Sequence, residues 1–422
     1  MADDKNEEGT EFRLVAKDEL RFEVESKATV VMEMMEGKGE IFGTELAKGR
    51  KYKFSAGAKV AVYTWHGCKI KLNGTTEVAY ISKETPMLMY LNTHVALEQM
   101  RVKADEENTR GPRAIIVGPT DVGKSTLCRI LCNYGARLGR APIFADLDVG
   151  QGHTDIPGTL GALSVERPSD PEEDYSQLSP LSFHFGHKSP GDNITLYSLL
   201  VQRLAEVINL RCEKSKKTNV SGCIINTCGW IRGEGYNMLK MAAGAFEVDS
   251  VMVIDQERLY TELRRDLPEF VSVVLLPKSG GVVERSKNTR AEARDARIRE
   301  YFYGIDNSLY PHTFEIKFTE VKIYKIGAPE LPESCLPLGM NAEDHKTKVV
   351  PVIPSMSLLH HVFSVSAANS IEDNITETNV IGFVVITAID MEKQAFSVLA
   401  PSPRPLPKNV LLMMDIQFMD IK

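Results

Sequence analysis

The sequence predicts an α/β fold in which a central domain with a mostly parallel sheet is flanked by an N-terminal β-sandwich and a C-terminal β-rich domain. In the middle of the chain, short apolar segments alternate with helical patterns, which is typical of parallel strands covered by helices. Towards both ends, strand patterns follow one another without helices between them. We therefore expect three domains, at residues 1–98, 99–305 and 306–422.

β-Forming residues dominate the N-terminal segment, in runs separated by Gly, Lys and Asn: LRFEVES, KYKFSAG, AKVAVYTW and KIKLNG. These runs predict a small β-sandwich. The acidic start, MADDKNEEGT, lacks the basic and apolar regions of a secretory signal, and we expect a disordered tail there. Residues 94–111, HVALEQMRVKADEENTRG, predict a charged helical connector to the next domain.

The central domain is predicted from five apolar runs: RAIIVGP, APIFADLDVG, SGCIINTCGW, DSVMVIDQE and FVSVVLLPKS. Between several of them lie helical patterns such as LYSLLVQRLAEVINLR and YNMLKMAAGAFEV. Beyond residue 305, FEIKFTEVKIYKIG and IGFVVITAID indicate strands again. The proline-rich APSPRPLPKN predicts a rigid loop before a last strand, VLLMMDIQFMD.

Composition narrows the functional classes. The chain has no run of 18 or more apolar residues, so we expect no membrane span. Its seven cysteines are scattered without zinc-site spacing, which indicates reduced thiols in a cytosolic or nuclear protein. A net charge of −7 argues against a protein that coats long nucleic acids. The segment 284–300 carries five arginines and one lysine, however, which indicates a focused phosphate site.

The stretch GPTDVGKST, residues 118–126, has the form G-x-x-x-x-G-K-[ST] and lies between an apolar strand and a helical pattern. Such a loop cradles the phosphates of a nucleotide with its backbone N–H groups, while its lysine reaches the β- and γ-phosphates and its hydroxyl binds Mg²⁺. We expect Lys124 to be catalytic as well as nucleotide-binding and Ser125 to be the Mg²⁺ ligand. The remaining predicted nucleotide contacts in this loop are Gly118, Thr120, Asp121, Val122, Gly123 and Thr126.

The nucleotide is predicted to be ATP. Guanine-selective relatives of this loop carry an [NT]-K-x-D element, which the chain lacks. They also carry D-x-x-G-Q after the second strand, whereas this chain has the shorter DVGQ at residues 148–151.

Two aspartates, Asp146 and Asp148, follow an apolar strand in FADLDVGQG. Ligands of open α/β sheets bind at the carboxyl ends of the strands, and strand alternation places both side chains on one face. One carboxylate could hold a Mg²⁺-bound water while the other accepts a proton from an attacking hydroxyl. We favour Asp148 as the base because it is nearer the loop; the alternative is a pair of aspartates that only caps the strand.

Further substrate contacts are expected from NTCGWIRGEG, residues 226–235, and HKSPGDN, residues 187–193. Trp230 beside the catalytic edge could stack on a nucleobase, although a core tryptophan is the alternative interpretation. The turn at Lys188 and Ser189 could touch substrate phosphates. We expect the acceptor to contact Asp146, Gln151, Ser189 and Trp230.

The basic segment predicts a lid. Arg290, Arg294 and Arg297 are spaced by four and three residues and therefore share one helical face, after Arg285 and the flexible KSGG. A lid of this kind would close over the triphosphate and neutralise the transferring phosphoryl group, so we expect Arg290 and Arg294 to be catalytic. The alternative is a solvated helix whose arginines pair with neighbouring carboxylates.

Together the motifs resemble the P-loop polynucleotide 5′-hydroxyl kinases, a family that includes the RNA kinase subunit of the eukaryotic mRNA 3′-end cleavage machinery and the tRNA-splicing endonuclease complex. The resemblance spans essentially the whole chain. It is carried by GPTDVGKST, LDVGQG, NTCGW, LLPKSGGVVERS and RIREYFYG in the centre, TWHGC, EVAY and PMLMYLNTH before it, and PRPLPKN after it.

The resemblance implies a nuclear, ATP- and Mg²⁺-dependent enzyme that phosphorylates the 5′-hydroxyl of RNA, with DNA as an alternative acceptor, and that joins subunits of both processing complexes. It further implies that Asp148 is the base, that Trp230 stacks on a base, and that Glu19 and Lys59 reach the adenine. The four arginines fall where the lid of the family lies. Two alternatives remain from the residues themselves: an ATP-bound scaffold with little turnover, and an ATP-driven motor.

Overall fold

The computed structural model describes residues 9–175, 180–328 and 344–420. Most of the predicted disordered tail therefore lies outside the described residues. No helix in these ranges combines the length and apolarity that a membrane crossing requires.

The N-terminal part is the predicted β-sandwich. One sheet has the order β1-β8-β3-β6 and the other the order β5-β4-β7-β2-β9, and the apolar side chains between them include Phe22, Met32 and Val62. Alternation along the strands, clearest in MEM and KIKL, directs every second side chain into this core. The strands are β1 (Thr10–Leu14), β2 (Glu19–Val24), β3 (Val30–Gly37), β4 (Glu40–Ile41), β5 (Thr44–Glu45), β6 (Lys51–Phe54), β7 (Lys59–Tyr63), β8 (Cys68–Asn73) and β9 (Thr76–Ser82).

The helical connector is α1 (Met87–Glu106), which begins before the predicted residue 94 and ends before 111. The predicted domain division at residue 98 thus falls within one continuous helix. The buried Arg101 fixes this helix to the central part, since its Nε donates to the backbone oxygen of Ser221 at 2.9 Å.

The central sheet has the order β16-β15-β10-β14-β11-β12-β13. Its pairings from β16 to β11 are parallel, as predicted, whereas β12 and β13 add antiparallel strands at one side. The elements are β10 (Arg113–Val117), α2 (Lys124–Arg137), β11 (Ile143–Asp146), β12 (Thr159–Ser164), β13 (Leu181–His184), α3 (Ile194–Lys214), α4 (Lys216–Ser221), β14 (Cys223–Asn226), α5 (Glu234–Ala245), β15 (Ser250–Ile254), α6 (Glu257–Asp266), β16 (Ser272–Leu276) and α7 (Lys287–Tyr303).

The C-terminal part is β-rich, as predicted, but it continues the central sheet instead of forming a separate one. Strand β21 pairs with β13, so that Val380 lies opposite Ser182. The predicted strand at 314–327 is interrupted by a turn, Phe318–Glu320. The elements are β17 (His312–Lys317), β18 (Lys322–Ile326), α8 (Asp344–Thr347), β19 (Val349–Pro351), β20 (His361–Ser366), β21 (Asn379–Asp390), β22 (Ala395–Ala400) and β23 (Val410–Gln417).

Candidate nucleotide and acceptor site

A cavity of about 780 Å³ lies at the carboxyl ends of the parallel strands, between the N-terminal sandwich, the phosphate loop and α7. This volume is in the range of small-molecule sites. Predicted residues from distant parts of the chain meet in its lining: Lys59, Thr120, Asp121, Val122, Gly123, Lys124, Ser125, Thr126, Asp148, Gln151, Ser189, Trp230, Arg285, Arg290 and Arg294.

The phosphate loop joins the end of β10 to the start of α2 in the predicted strand–loop–helix arrangement. Gly123 immediately precedes the helix with φ +90°, and Gly118 has φ +155°. A Cβ atom at position 118 would lie 2.9 Å from the backbone oxygen of Ile254, so this position requires glycine. Gly118 therefore shapes the loop, and the residues from Thr120 onwards face the cavity.

Lys124 is the first residue of α2 and is largely buried. Its Nζ donates to the backbone oxygen of Pro119 at 2.6 Å. Burial lowers the pKa of Lys124, and the nearby carboxylate of Asp148 is the largest influence in the opposite direction. A phosphate oxygen entering the loop would therefore offer this ammonium group a stronger partner than a neutral carbonyl.

Asp146 does not reach the cavity, which corrects its predicted contact with substrate. It is only 1% exposed. Its Oδ1 accepts hydrogen bonds from the backbone N–H of Asp148 at 3.0 Å and from Asn226 Nδ2 at 2.9 Å, and its Oδ2 accepts one from the N–H of His153 at 2.6 Å. Asp146 thus holds the backbone on both sides of the loop that carries Asp148.

Asn226 lies in the predicted stretch 226–235, but the sequence analysis gave it no role of its own. It ends β14 directly opposite Asp146 in the parallel register and is fully buried. Its amide donates to Asp146 and also to Ser125 Oγ at 3.4 Å, so a buried polar chain orients the hydroxyl predicted to bind Mg²⁺. A polar residue at the end of the apolar run CIIN was the available signal.

The described residues include no cluster of three or more His, Cys, Asp or Glu that could enclose a metal. A single hydroxyl such as Ser125, held in place and facing the cavity, fits the sites in which Mg²⁺ takes most of its ligands from substrate phosphates and water.

Asp148 lines the cavity and is partly exposed there. Its Oδ1 accepts from the backbone N–H groups of Gly150 at 3.0 Å and Gln151 at 3.1 Å. Burial raises the pKa of Asp148, as does the neighbouring Asp146, while Lys124 and the two N–H groups oppose the rise. A carboxylate with a raised pKa is a better proton acceptor, which is what a general base requires.

Trp230 lines the cavity and is only partly buried, which argues against the core alternative. One glycine lets the backbone approach the ring closely, and a second glycine lies in van der Waals contact with it. A Cβ atom on Gly235 would lie 2.5 Å from Trp230 Cγ, and one on Gly191 would lie 3.6 Å from Cη2. The indole is thus held in place at the wall of the cavity. Ser189, on the same side, accepts from the N–H of Gly191 at 3.3 Å and caps a short turn.

The predicted lid is helix α7, with Ser286 as its N-cap. Asp121 of the phosphate loop holds its start. Asp121 Oδ2 accepts from the N–H of Arg285 at 3.0 Å and from Arg290 Nη2, and its Oδ1 accepts from Arg285 Nε at 3.2 Å. Burial of Asp121 opposes ionisation, but the hydrogen bonds from Arg285 and Arg290 prevail and lower its pKa. Gln151 Nε2 also donates to the backbone oxygen of Arg290 at 3.1 Å.

Arg297 does not face the triphosphate side, contrary to its predicted role. Its Nη2 donates to the backbone oxygen of His153 at 3.0 Å, and its Nη1 pairs with Glu300 at 3.1 Å. Ile298 and Phe302, in the same half of α7, are buried. The second half of α7 is therefore anchored to the central part, and only its first half can act as a lid.

Of the two residues predicted to reach the adenine, Lys59 lines the cavity and Glu19 does not. Lys59 lines the cavity beside Glu23, its partner at 2.9 Å. Glu19 is buried outside the lining, where it binds Arg21 and accepts from Thr85 Oγ1 at 2.9 Å. Glu19 therefore supports Arg21, a cavity residue whose Nη2 donates to Ser279 at 3.4 Å, and its contact with the adenine stays a prediction.

Family models match nearly the full length. Residues 13–104 match the N-terminal beta-sandwich domain of polyadenylation factor, residues 118–304 match the mRNA cleavage and polyadenylation factor CLP1 P-loop, and residues 309–420 match the pre-mRNA cleavage complex II protein Clp1. The chain belongs to the Clp1 family. Its P-loop implies the use of a nucleotide, and the resemblance inferred from the motifs is confirmed.

Curated Clp1 relatives carry the name polyribonucleotide 5′-hydroxyl-kinase Clp1. The chain is 61% identical to that of Gallus gallus over 100% of both chains, and 61% identical to that of Homo sapiens over 100% of this chain and 99% of the relative. It is 57% identical to that of Xenopus laevis over 98% and 94%.

The fold matches a solved Clp1p in complex with Pcf11p, with a TM-score of 0.86 over 98% of this chain and 100% of the other. At 22% identity, that structure supports the fold alone. The predicted fold class is confirmed, and Clp1-family membership agrees with the kinase prediction.

Proposed function

We propose that this chain transfers the γ-phosphate of ATP to the 5′-hydroxyl of RNA, the activity that the names of its relatives describe. The observation that carries the proposal is the meeting of Asp148 with Lys124 and Arg294 on one cavity. A phosphate loop alone serves any nucleotide-driven process. A carboxylate beside it adds the base that an alcohol acceptor needs.

On the donor side, the backbone of the loop from Thr120 to Thr126 surrounds the phosphates, and Lys124 exchanges the Pro119 carbonyl for a phosphate oxygen. Ser125, oriented by Asn226, would hold Mg²⁺ together with the phosphates, and the metal would supply charge neutralisation there. The N-terminal sandwich forms the wall of the cavity that contains Lys59, and the adenine of ATP would lie against this wall.

On the acceptor side, Trp230 stacks on the terminal base of the RNA and places the 5′-hydroxyl near Asp148. Asp148 accepts the hydroxyl proton while that oxygen bonds to the γ-phosphorus. The bond from the γ-phosphorus to the β,γ-bridging oxygen breaks, and ADP leaves. Arg290 and Arg294 neutralise charge on the phosphoryl group as it transfers.

We also infer that the protein works in the nucleus, in the mRNA 3′-end cleavage machinery and with the tRNA-splicing endonuclease. The descriptions of the matching family models and the Pcf11p complex of the structural relative support the first assignment. The family resemblance supports the second. Affinity capture of the tagged chain from separate nuclear and cytoplasmic extracts tests both assignments. Recovery of the chain from the cytoplasmic extract alone would contradict them.

The transfer itself is tested by incubation with γ-labelled ATP and a 5′-hydroxyl RNA oligonucleotide, beside DNA of the same sequence and the same RNA with a 5′-phosphate. We expect label on the 5′-hydroxyl RNA and none on the blocked RNA. Equal labelling of DNA would show that the acceptor site does not select the sugar. ATP retention without label on any acceptor would favour the scaffold alternative.

A further inference from the structure

Residues 186–191 follow β13, and their second part, 188–191, forms one wall of the cavity; we call residues 186–191 the acceptor loop. Gly186 turns the chain with φ +83°, and a Cβ atom there would lie 2.8 Å from His184 Nε2. The conformation of the turn is therefore specific to glycine. Beyond it, Lys188, Ser189, Pro190 and Gly191 face the cavity.

The inner side of the acceptor loop touches the groups assigned to the acceptor. The backbone oxygen of Lys188 is close to Gly150, where an added Cβ atom would lie 2.9 Å away. Gly150 donates its N–H to Asp148. At the other end of the loop, Gly191 lies against the indole of Trp230. A shift of this loop would therefore move the surroundings of both Asp148 and Trp230.

The outer side of the acceptor loop is held by β23, from the C-terminal part of the chain. The backbone N–H of Asp415 donates to the oxygen of Gly186 at 2.8 Å. The Asp415 carboxylate lies 2.7 Å from His187 Nδ1. One residue of β23 thus binds two consecutive residues of the loop, once through its backbone and once through its side chain.

Asp415 has a second partner, Lys325 of β18, whose Nζ donates to its Oδ1 at 2.8 Å. The hydrogen bond from His187 lowers the pKa of Asp415, against burial and with help from Lys325. Asp415 is therefore ionised at neutral pH. His187 can donate its Nδ1 proton to this carboxylate whether the ring is neutral or protonated.

We propose that Asp415 and His187 are positioning residues through which the C-terminal part of the chain holds the acceptor loop against Asp148 and Trp230. The inference rests on the proposed function, because it assigns this wall of the cavity to the RNA. It predicts that the pair affects use of the acceptor while ATP binding, on the P-loop side, is unaffected.

The test uses the full chain with Asp415→Ala, His187→Ala and the double variant, and Lys325→Met as the matched control. Lys325→Met removes an ion pair of Asp415 but leaves its contacts with the acceptor loop. ATP Kd, acceptor KM and kcat are measured for each. We expect kcat/KM for 5′-hydroxyl RNA to fall about tenfold to a hundredfold in both single variants, the loss typical of slight misplacement. The ATP Kd and the control should stay near wild type.

The double variant should lose no more than the worse single variant, because both changes break one contact. Additive losses, a parallel loss of ATP affinity, or an unchanged kcat/KM would each overturn the proposal. If the wild-type chain labels RNA and the variants match it, the inference alone fails. If the wild type labels no acceptor, the proposed function fails and the inference fails with it.

Discussion

Replacing Asp121 with asparagine tests whether the phosphate loop and the ATP phosphates compete for the same arginines. In the structure, the Asp121 carboxylate, 5% exposed, binds Arg290 and Arg285 at the start of α7. The γ-phosphate must draw these arginines from Asp121, and Asp121 also repels the incoming charge. Asparagine tolerates the left-handed backbone found there, φ +55°, so the loop should keep its shape.

The size of the expected change in ATP affinity follows from how exposed the two arginine side chains are. Hydrogen bonds to charged groups contribute about 1.5–3 kcal/mol, but the Arg285 side chain is 39% exposed and its ion pair adds little. The Arg290 side chain is 28% exposed, and asparagine retains one acceptor oxygen. The substitution should therefore weaken the interaction between residue 121 and Arg290 by about 1–1.5 kcal/mol, which ATP no longer has to overcome. We therefore expect ATP to bind Asp121→Asn roughly tenfold more tightly.

The assay is titration calorimetry with ATP, paired with steady-state transfer to 5′-hydroxyl RNA. Glu320→Gln is the control, because it removes an arginine–carboxylate pair with Arg404 outside the cavity. The control should leave the ATP Kd unchanged, and kcat of Asp121→Asn should stay near wild type. Weaker ATP binding together with a lower kcat would refute competition and make Asp121 a positioning group for the lid.

Three further predictions concern single side chains. Lys124→Ala should abolish transfer while circular dichroism and melting temperature stay near wild type; substantial turnover would exclude this loop as the donor site. Trp230→Ala should raise the acceptor KM roughly tenfold or more at constant ATP Kd, since base stacking is worth about 1–3 kcal/mol, whereas a lower melting temperature with unchanged KM would restore the core alternative. Arg294→Ala should lower kcat by about 10³–10⁵-fold with little loss of ATP affinity, while Arg297→Ala should chiefly lower the melting temperature; equal kcat losses would contradict the two placements.

Local patterns correctly predicted the backbone structure around the phosphate loop and the lid helix. The phosphate loop, its strand and its helix lie within one short stretch of sequence, and the helix predicted at 284–300 is α7, Lys287–Tyr303. Spacing alone misassigned Arg297, because four and three residues define a face without saying what that face meets. The Arg297 side chain binds the backbone oxygen of His153 and does not line the cavity.

The prediction from strand alternation, that Asp146 and Asp148 lie on one face, does not hold at the end of β11. β11 ends at Asp146, so Asp148 lies beyond the strand and the two side chains need not share a face. The remaining misses depend on contacts between distant segments: Asn226 with Ser125, Asp415 with His187, and β21 with β13. No periodicity within a segment encodes which other segment it will meet.

The most direct test of the central claim measures label transfer by Asp148→Asn across pH. Burial, and then Asp146, raises the pKa of Asp148, so the wild-type kcat/KM should fall as pH drops through a value above the ordinary aspartate range, because the base becomes protonated. Asparagine cannot accept the proton. The variant should therefore bind ATP normally, transfer about 10²–10⁴-fold more slowly and lose this acidic limb. Transfer at the wild-type rate, or an acidic limb unchanged in the variant, would contradict Asp148 as the base.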